Sequence, residues 1–170
     1  SIKSLERDYK HYYFIIRGGD MSMNQGKIVS KQEDYVDKAE RVMKYLSRII
    51  TTSKIRDLMA QVNELYNDII LEPNEILDKK YVEAIKHLRV KMIYDAGRDK
   101  QEGLTRREQE DPVLAGKAND IRRNGKIGFF FKETALLDMV TKIGDSRQAF
   151  LDYCKYFEAL VAYHKFYGGK

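Results

Sequence analysis

The residues of this chain that could carry acid–base or metal chemistry do not gather into a set. Its three histidines, His11, His87 and His164, lie far apart, and none pairs with a second ligand at metal-binding spacing. Arg7 and His11 have three residues between them, a shorter gap than the Arg–His pairing of helical ribonucleases of the HEPN type. Arg17-Gly-Gly-Asp20 and Tyr167-Gly-Gly-Lys170 hold paired glycines without the strand-to-helix setting and the Lys-Ser or Lys-Thr of a phosphate loop, so they read as loop and tail. With 26 carboxylates on a helical chain, some fall side by side by chance, and no acid/base pair stands out. Cys154 is the only cysteine; it rules out an intramolecular disulfide and a zinc site of paired cysteines, and its place on an apolar helix stripe reads as core. No metal and no cofactor are expected.

The residues suited to binding are of another kind. Arg56, Ala60, Asn63 and Asn67 recur at helical spacing beside an apolar stripe. They form a low strip with one guanidinium and two amides, which suits a sugar–phosphate backbone and equally an ordinary solvated face. Near the C-terminus, Arg147 and Lys165 flank a stripe of Phe150, Tyr153, Cys154, Phe157, Leu160, Val161 and His164, and Lys155 lies further round. Ala159, Ala162, Tyr163 and Phe166 fall roughly opposite, so this helix is expected to pack on two sides: within the fold, and against another helix or subunit. Tyr156, Tyr163 and Tyr167 offer rings for base stacking but read first as packing residues.

The elements that position these residues read as helices. Tyr35, Ala39, Val42, Leu46 and Ile49 keep a helical period over 33–50, and Thr51, Thr52 and Ser53 offer a helix start. Ile55, Leu58, Met59, Val62, Leu65, Tyr66 and Ile69 follow, and Pro73 ends that helix. The next begins near 74–78 with Leu77, Tyr81, Ala84, Ile85, Leu88 and Met92 inward, and Gly97 as its expected stop. Residues 98–126 carry eight basic and six acidic residues and read as a mobile polar insertion, with a short helix over 113–121. Its Arg106, Arg107, Arg122 and Arg123 could reach a nucleic acid and are also typical of a solvated loop. Leu136, Met139, Val140 and Ile143 resume the pattern, and Gly144 closes it. Asp145 or Ser146 caps the last helix, with Asp145 and Gln148 spaced as a capping box. The expected architecture is all-α: a compact bundle of about five helices over 33–170 with one long insertion, after a poorly patterned segment 1–32. The chain opens on Ser1, which reads as a processed or added start, with Met21 and Met23 as later candidates.

Two prolines in 170 residues fit long helices and speak against a turn-rich β-sandwich. A net charge of +5 is compatible with a polyanion partner without requiring one. No run approaches the length of a membrane span, and His11–Ile16 is too short, so a cytoplasmic protein without a membrane partner is expected.

Three segments carry a family resemblance: Ile50–Ile69 with its Thr-Thr-Ser-x-Ile-Arg start, Met92–Asp99 with Tyr-x-Ala-Gly-Arg, and Ile143–Lys170 with Glu-Ala-Leu-Val-Ala-Tyr-His-Lys. Together they resemble the small subunit of the type III-A CRISPR (Csm) interference complex over about 35–97 and 129–170. The resemblance implies an all-helical, non-catalytic subunit with several copies side by side along a filament of a different backbone subunit. It implies as partners the guide RNA, the target RNA, the backbone and large subunits and neighbouring copies. By position, it makes Arg56 and Arg98 the first expected RNA contacts, followed by Lys54, Arg147, Lys155 and Lys165. Arg98 also reads as a cation favoured at a helix C-terminus. Other readings are the small subunit of a type III-B complex, a small ribonuclease using His164, and an adaptor that binds only protein.

Overall fold

The computed structural model describes residues 33–100 and 103–170. Among them are seven α-helices and no strand: α1 Tyr35–Leu46, α2 Thr52–Ile69, α3 Lys79–Arg98, α4 Pro112–Gly116, α5 Ala118–Thr134, α6 Leu136–Lys142 and α7 Arg147–Phe166. The fold is all-α. The expectations for His11 and for residues 1–32 fall outside the described residues.

Short polar side chains start most of these helices by taking up backbone N–H groups that have no partner in the first turn. Asp34 accepts from Val36 N at 2.9 Å, Thr51 Oγ1 from Lys54 N at 3.2 Å, and Asp111 from Val113 N at 2.8 Å. Ser146, rather than Asp145, caps α7 by accepting from Ala149 N at 3.1 Å. The expected capping box is absent, because the residue three positions after Ser146 is alanine; Gln148 Nε2 donates to Asp152 instead. The start of α3 has no side-chain cap. It is set by a backbone clasp in which Leu77 N donates to Asp145 O at 2.8 Å and Arg147 N to Glu75 O at 2.9 Å.

The core forms around α7, which packs against α1, α2 and α6. Six consecutive residues, Ala149 to Cys154, are buried, so the first half of this helix is enclosed on every side. Of the expected second packing face, Ala159 and Tyr163 are partly buried against the chain's own core, while Ala162 and Phe166 face solvent, the latter 75% exposed. The buried phenols find partners, as polar groups out of water must: Tyr153 Oη donates to Met92 Sδ at 3.6 Å and Tyr156 Oη to the Thr134 carbonyl at 2.8 Å.

Two expectations are corrected here. Gly97 does not stop α3, which continues through Arg98 with Asp99 as its cap; nothing at Gly97 forces the chain to leave the helix. Residues 98–126 are not a mobile loop where described. A 3₁₀ turn, α4 and the first half of α5 occupy much of the segment, anchored by the fully buried Leu114 and Ile121. Three ion pairs tie it down: Arg48 with Asp111, Lys54 with Asp99, and Lys126 with Glu108. Composition hides these, because the partners Arg48 and Lys54 come from the α1–α2 region.

Gly125 interrupts α5 with φ 74° and ψ 169°, a backbone region open essentially to glycine alone. A Cβ there would lie 2.4 Å from the Asp99 carbonyl oxygen and 2.7 Å from Lys100 Cα. Gly144 also has a positive φ, 61°, but empty surroundings. Gly125→Ala is expected to cost about 2–4 kcal/mol of unfolding free energy, and Gly144→Ala about 1 kcal/mol, in urea titrations. Equal losses at the two positions would show that the close approach to Asp99 contributes nothing.

Candidate nucleic-acid interface

The α1–α2 turn is the meeting point of the three segments singled out in the sequence. Thr52 N, a free donor at the start of α2, donates to the Lys170 carbonyl at 2.7 Å, and Thr52 Oγ1 donates to the Gly169 carbonyl at 3.0 Å. His164, 2% exposed, places Nε2 2.6 Å from the Ile50 carbonyl. That oxygen only accepts, so Nε2 carries the proton. A Cβ on Gly169 would overlap the His164 ring, so the glycine lets the tail lie flat on it. One turn on, Lys54 pairs with Asp99 at the end of α3. At the other end of α2, Arg147 Nη2 donates to the Ile70 carbonyl at 3.0 Å. With His164 beside Ile50 and Arg147 beside Ile70, α7 runs antiparallel to α2.

This arrangement sorts the six cations expected to meet RNA. Lys54 and Arg147 are engaged inside the fold; the Arg147 side chain is only 18% exposed and also lies 3.9 Å from Glu75. Arg56 and Lys165 are exposed and Lys155 is half-buried, with no ion pair recorded for any of the three among the described residues. Arg98 is exposed, with carboxylate oxygens of Asp95 and Asp99 at 3.7 and 3.8 Å. Lys54 and Arg56, two residues apart at ~100° each, project from roughly opposite sides of α2. The six therefore do not form one patch. Arg56, Ala60, Asn63 and Asn67 are all exposed and span about 16 Å of the helix.

Two depressions mark the surface. A cleft of about 620 Å³ beside the α1–α2 turn holds Arg48, Lys54 and Lys126, paired with Asp111, Asp99 and Glu108, together with Arg107, Glu110 and Lys170. A shallower groove of about 760 Å³ lies between α3, α5 and α6, floored by Ile93, Ala96, Gly97, Gly128 and Phe131, with Arg89, Lys100 and Lys132 on its rim. Sequence reasoning missed Tyr94, whose exposed ring lies beneath Arg98. The signal was present in the Tyr-x-Ala-Gly-Arg segment, which is helix rather than turn.

Burial clearly shifts the acidities of Cys154 and Tyr45. Burial pushes the Cys154 thiol well above its ordinary range, with Glu158 and Asp152 adding to the effect. The Tyr45 phenol is raised first by burial and then by Glu133, to which it donates at 3.1 Å. Among the described residues no cluster of three His, Cys, Asp or Glu side chains could hold a metal ion, and no helix is long and apolar enough to cross a membrane.

The profile of the Csm2 Type III-A family matches residues 29–109 and 118–170. The chain belongs to that family. The match runs into the segment expected to lie outside the resemblance and leaves only 110–117 of it uncovered. Among curated relatives, the CRISPR system Cms protein Csm2 of Enterococcus italicus is 31% identical over 144 residues, covering 83% of this chain and 84% of its own. The protein of the same name from Streptococcus thermophilus is 31% identical over 144 residues, covering 81% and 94%. That of Mycobacterium tuberculosis is 30% identical over 140 residues, covering 79% and 92%.

Two outcomes follow from this sorting. Arg147→Ala is expected to lower stability by about 0.5–1.5 kcal/mol through loss of its hydrogen bond to the Ile70 carbonyl, whereas Arg56→Ala and Lys165→Ala stay within about 0.5 kcal/mol of the parent in denaturant titrations. Because a raised thiol pKa leaves almost no thiolate near neutral pH, native Cys154 is expected to resist a thiol reagent, reacting at the rate of a free thiol only once denaturant unfolds the chain.

Proposed function

We propose that this chain is the non-catalytic small subunit of a type III-A CRISPR interference complex, lying along a filament of the backbone subunit and holding guide and target RNA through sequence-independent contacts. The family match across most of the chain carries the reading. The geometry supports it through cations left at the surface: exposed Arg56 with its amide neighbours on α2, exposed Arg98 on α3 with Asp95 and Asp99 only at 3.7 and 3.8 Å, and half-buried Lys155 and exposed Lys165 on α7. In this reading Lys54 and Arg147 shape the surface from inside the fold rather than grip RNA. Guide RNA, target RNA, the backbone and large subunits and neighbouring copies are the partners.

Phosphate contacts of this kind are individually weak and strongly salt-dependent, and copies fixed along one strand add their grips through effective concentration. A ribonuclease reading would need His164 as a base, yet its ring is buried and its Nε2–H is held by a backbone carbonyl. Pure chain is therefore expected to bind single-stranded RNA weakly, with affinity falling as salt rises, and to leave it uncut. Arg56→Glu should weaken binding to unrelated sequences alike and lower the log–log salt slope by about 1, measured by fluorescence anisotropy. Tight, sequence-selective binding, or cleavage abolished by His164→Ala, would defeat the proposal.

A further inference from the structure

The Tyr94–Arg98 pair on the outer face of α3 does nothing for the core. Tyr94 is 66% exposed, and its hydroxyl has no hydrogen bond among the described residues. The Arg98 guanidinium carbon lies over the ring, 6.0 Å from its centre, and the side chain is 56% exposed. Its carboxylate neighbours stand beyond hydrogen-bonding distance, so the guanidinium is only loosely held. Gly97 keeps the ground beside the pair open: no atom lies within 4 Å of where its side chain would begin. By helical spacing Val90 and Lys91 border the same sector, and both are exposed.

A flat base can stack on an aromatic ring with one face and on a guanidinium plane with the other. Both side chains are exposed, with the guanidinium carbon 6.0 Å from the ring centre, so they can part to admit a base without disturbing the core. Lys91 and Arg98 supply charge for flanking phosphates, and Val90 gives the edge of the base an apolar neighbour. We propose that Tyr94 and Arg98 form a clamp for one unpaired base of a single-stranded nucleic acid, with the ring on one face and the guanidinium on the other. The inference rests on the RNA-holding reading and adds to it a contact to the base plane. Every base presents such a face, so the clamp is tolerant of sequence and favours single strands over paired ones.

The test uses the full chain and an oligoribonucleotide containing 2-aminopurine, beside an abasic oligomer of equal length. The parent and Tyr94→Phe are expected to quench the fluorescent base on binding. Tyr94→Ala should lose the quenching and bind the base-bearing oligomer about 5- to 150-fold more weakly. Its salt slope should match the parent's, because no phosphate contact is removed. The abasic oligomer should be bound equally by the parent and by Tyr94→Ala. If the parent binds RNA and Tyr94→Ala binds it identically, the clamp is wrong while the holding reading stands. If the parent binds no RNA, the holding reading fails and the clamp with it. Loss of incorporation into the assembled complex with RNA binding unchanged would mark this face as a protein contact and overturn the clamp.

Discussion

Enclosing α7 on nearly every side imposes the constraint on which the other features depend. Polar groups on a helix out of water are costly unless internal partners take them up, and this one carries tyrosines, a histidine and an arginine. Their partners are backbone carbonyls and a sulfur on other elements: Thr134 for Tyr156, Met92 for Tyr153, Ile50 for His164 and Ile70 for Arg147. The last two lie at opposite ends of α2. Meeting the needs of one helix therefore fixes the direction and register of another, and with them the strip of Arg56, Ala60, Asn63 and Asn67.

The same economy divides the charges. Those near the α1–α2 turn are engaged within the fold: Lys54, Arg48 and Lys126 each meet a carboxylate of the 99–111 segment. Such pairs hold a polar segment that has little apolar surface to bury. The cations left for a ligand stand on outer helix faces, dispersed over α2, α3 and α7. Dispersed charge is a poor reader of sequence and a serviceable grip on a long strand. In the proposed function, each copy along a strand needs no more than that.

The three segments that carry the family resemblance also make structural sense together. The Thr-Thr-Ser start presents a free amide and a hydroxyl, the Gly-Gly-Lys tail brings two carbonyls, and Asp99 brings the carboxylate for Lys54. Gly169 is required there because the tail lies on the His164 ring. Much of what marks the family in its sequence is thus a junction of the fold rather than a row of ligand contacts. Tyr94 and Arg98 differ, since both stand exposed on the outer face of α3.

The sequence by itself determined the all-helical class, most of the inward-facing residues and several of the caps. These depend on local spacing and on side chains within a few positions of the backbone groups they satisfy: Ile55, Leu58, Val62 and Ile69 on one stripe, Thr51 and Ser146 at helix starts, Gly144 after α6. It also pointed to the family, through short contiguous blocks. Only the tertiary structure decided what became of 98–126, because Arg48 and Lys54 reach it from distant positions and Gly125 admits a close approach that no local pattern announces. It likewise decided which cations remain available. Lys54 and Arg56 look alike in the sequence, yet two residues turn them to opposite sides of one helix, where the first meets Asp99 and the second meets water.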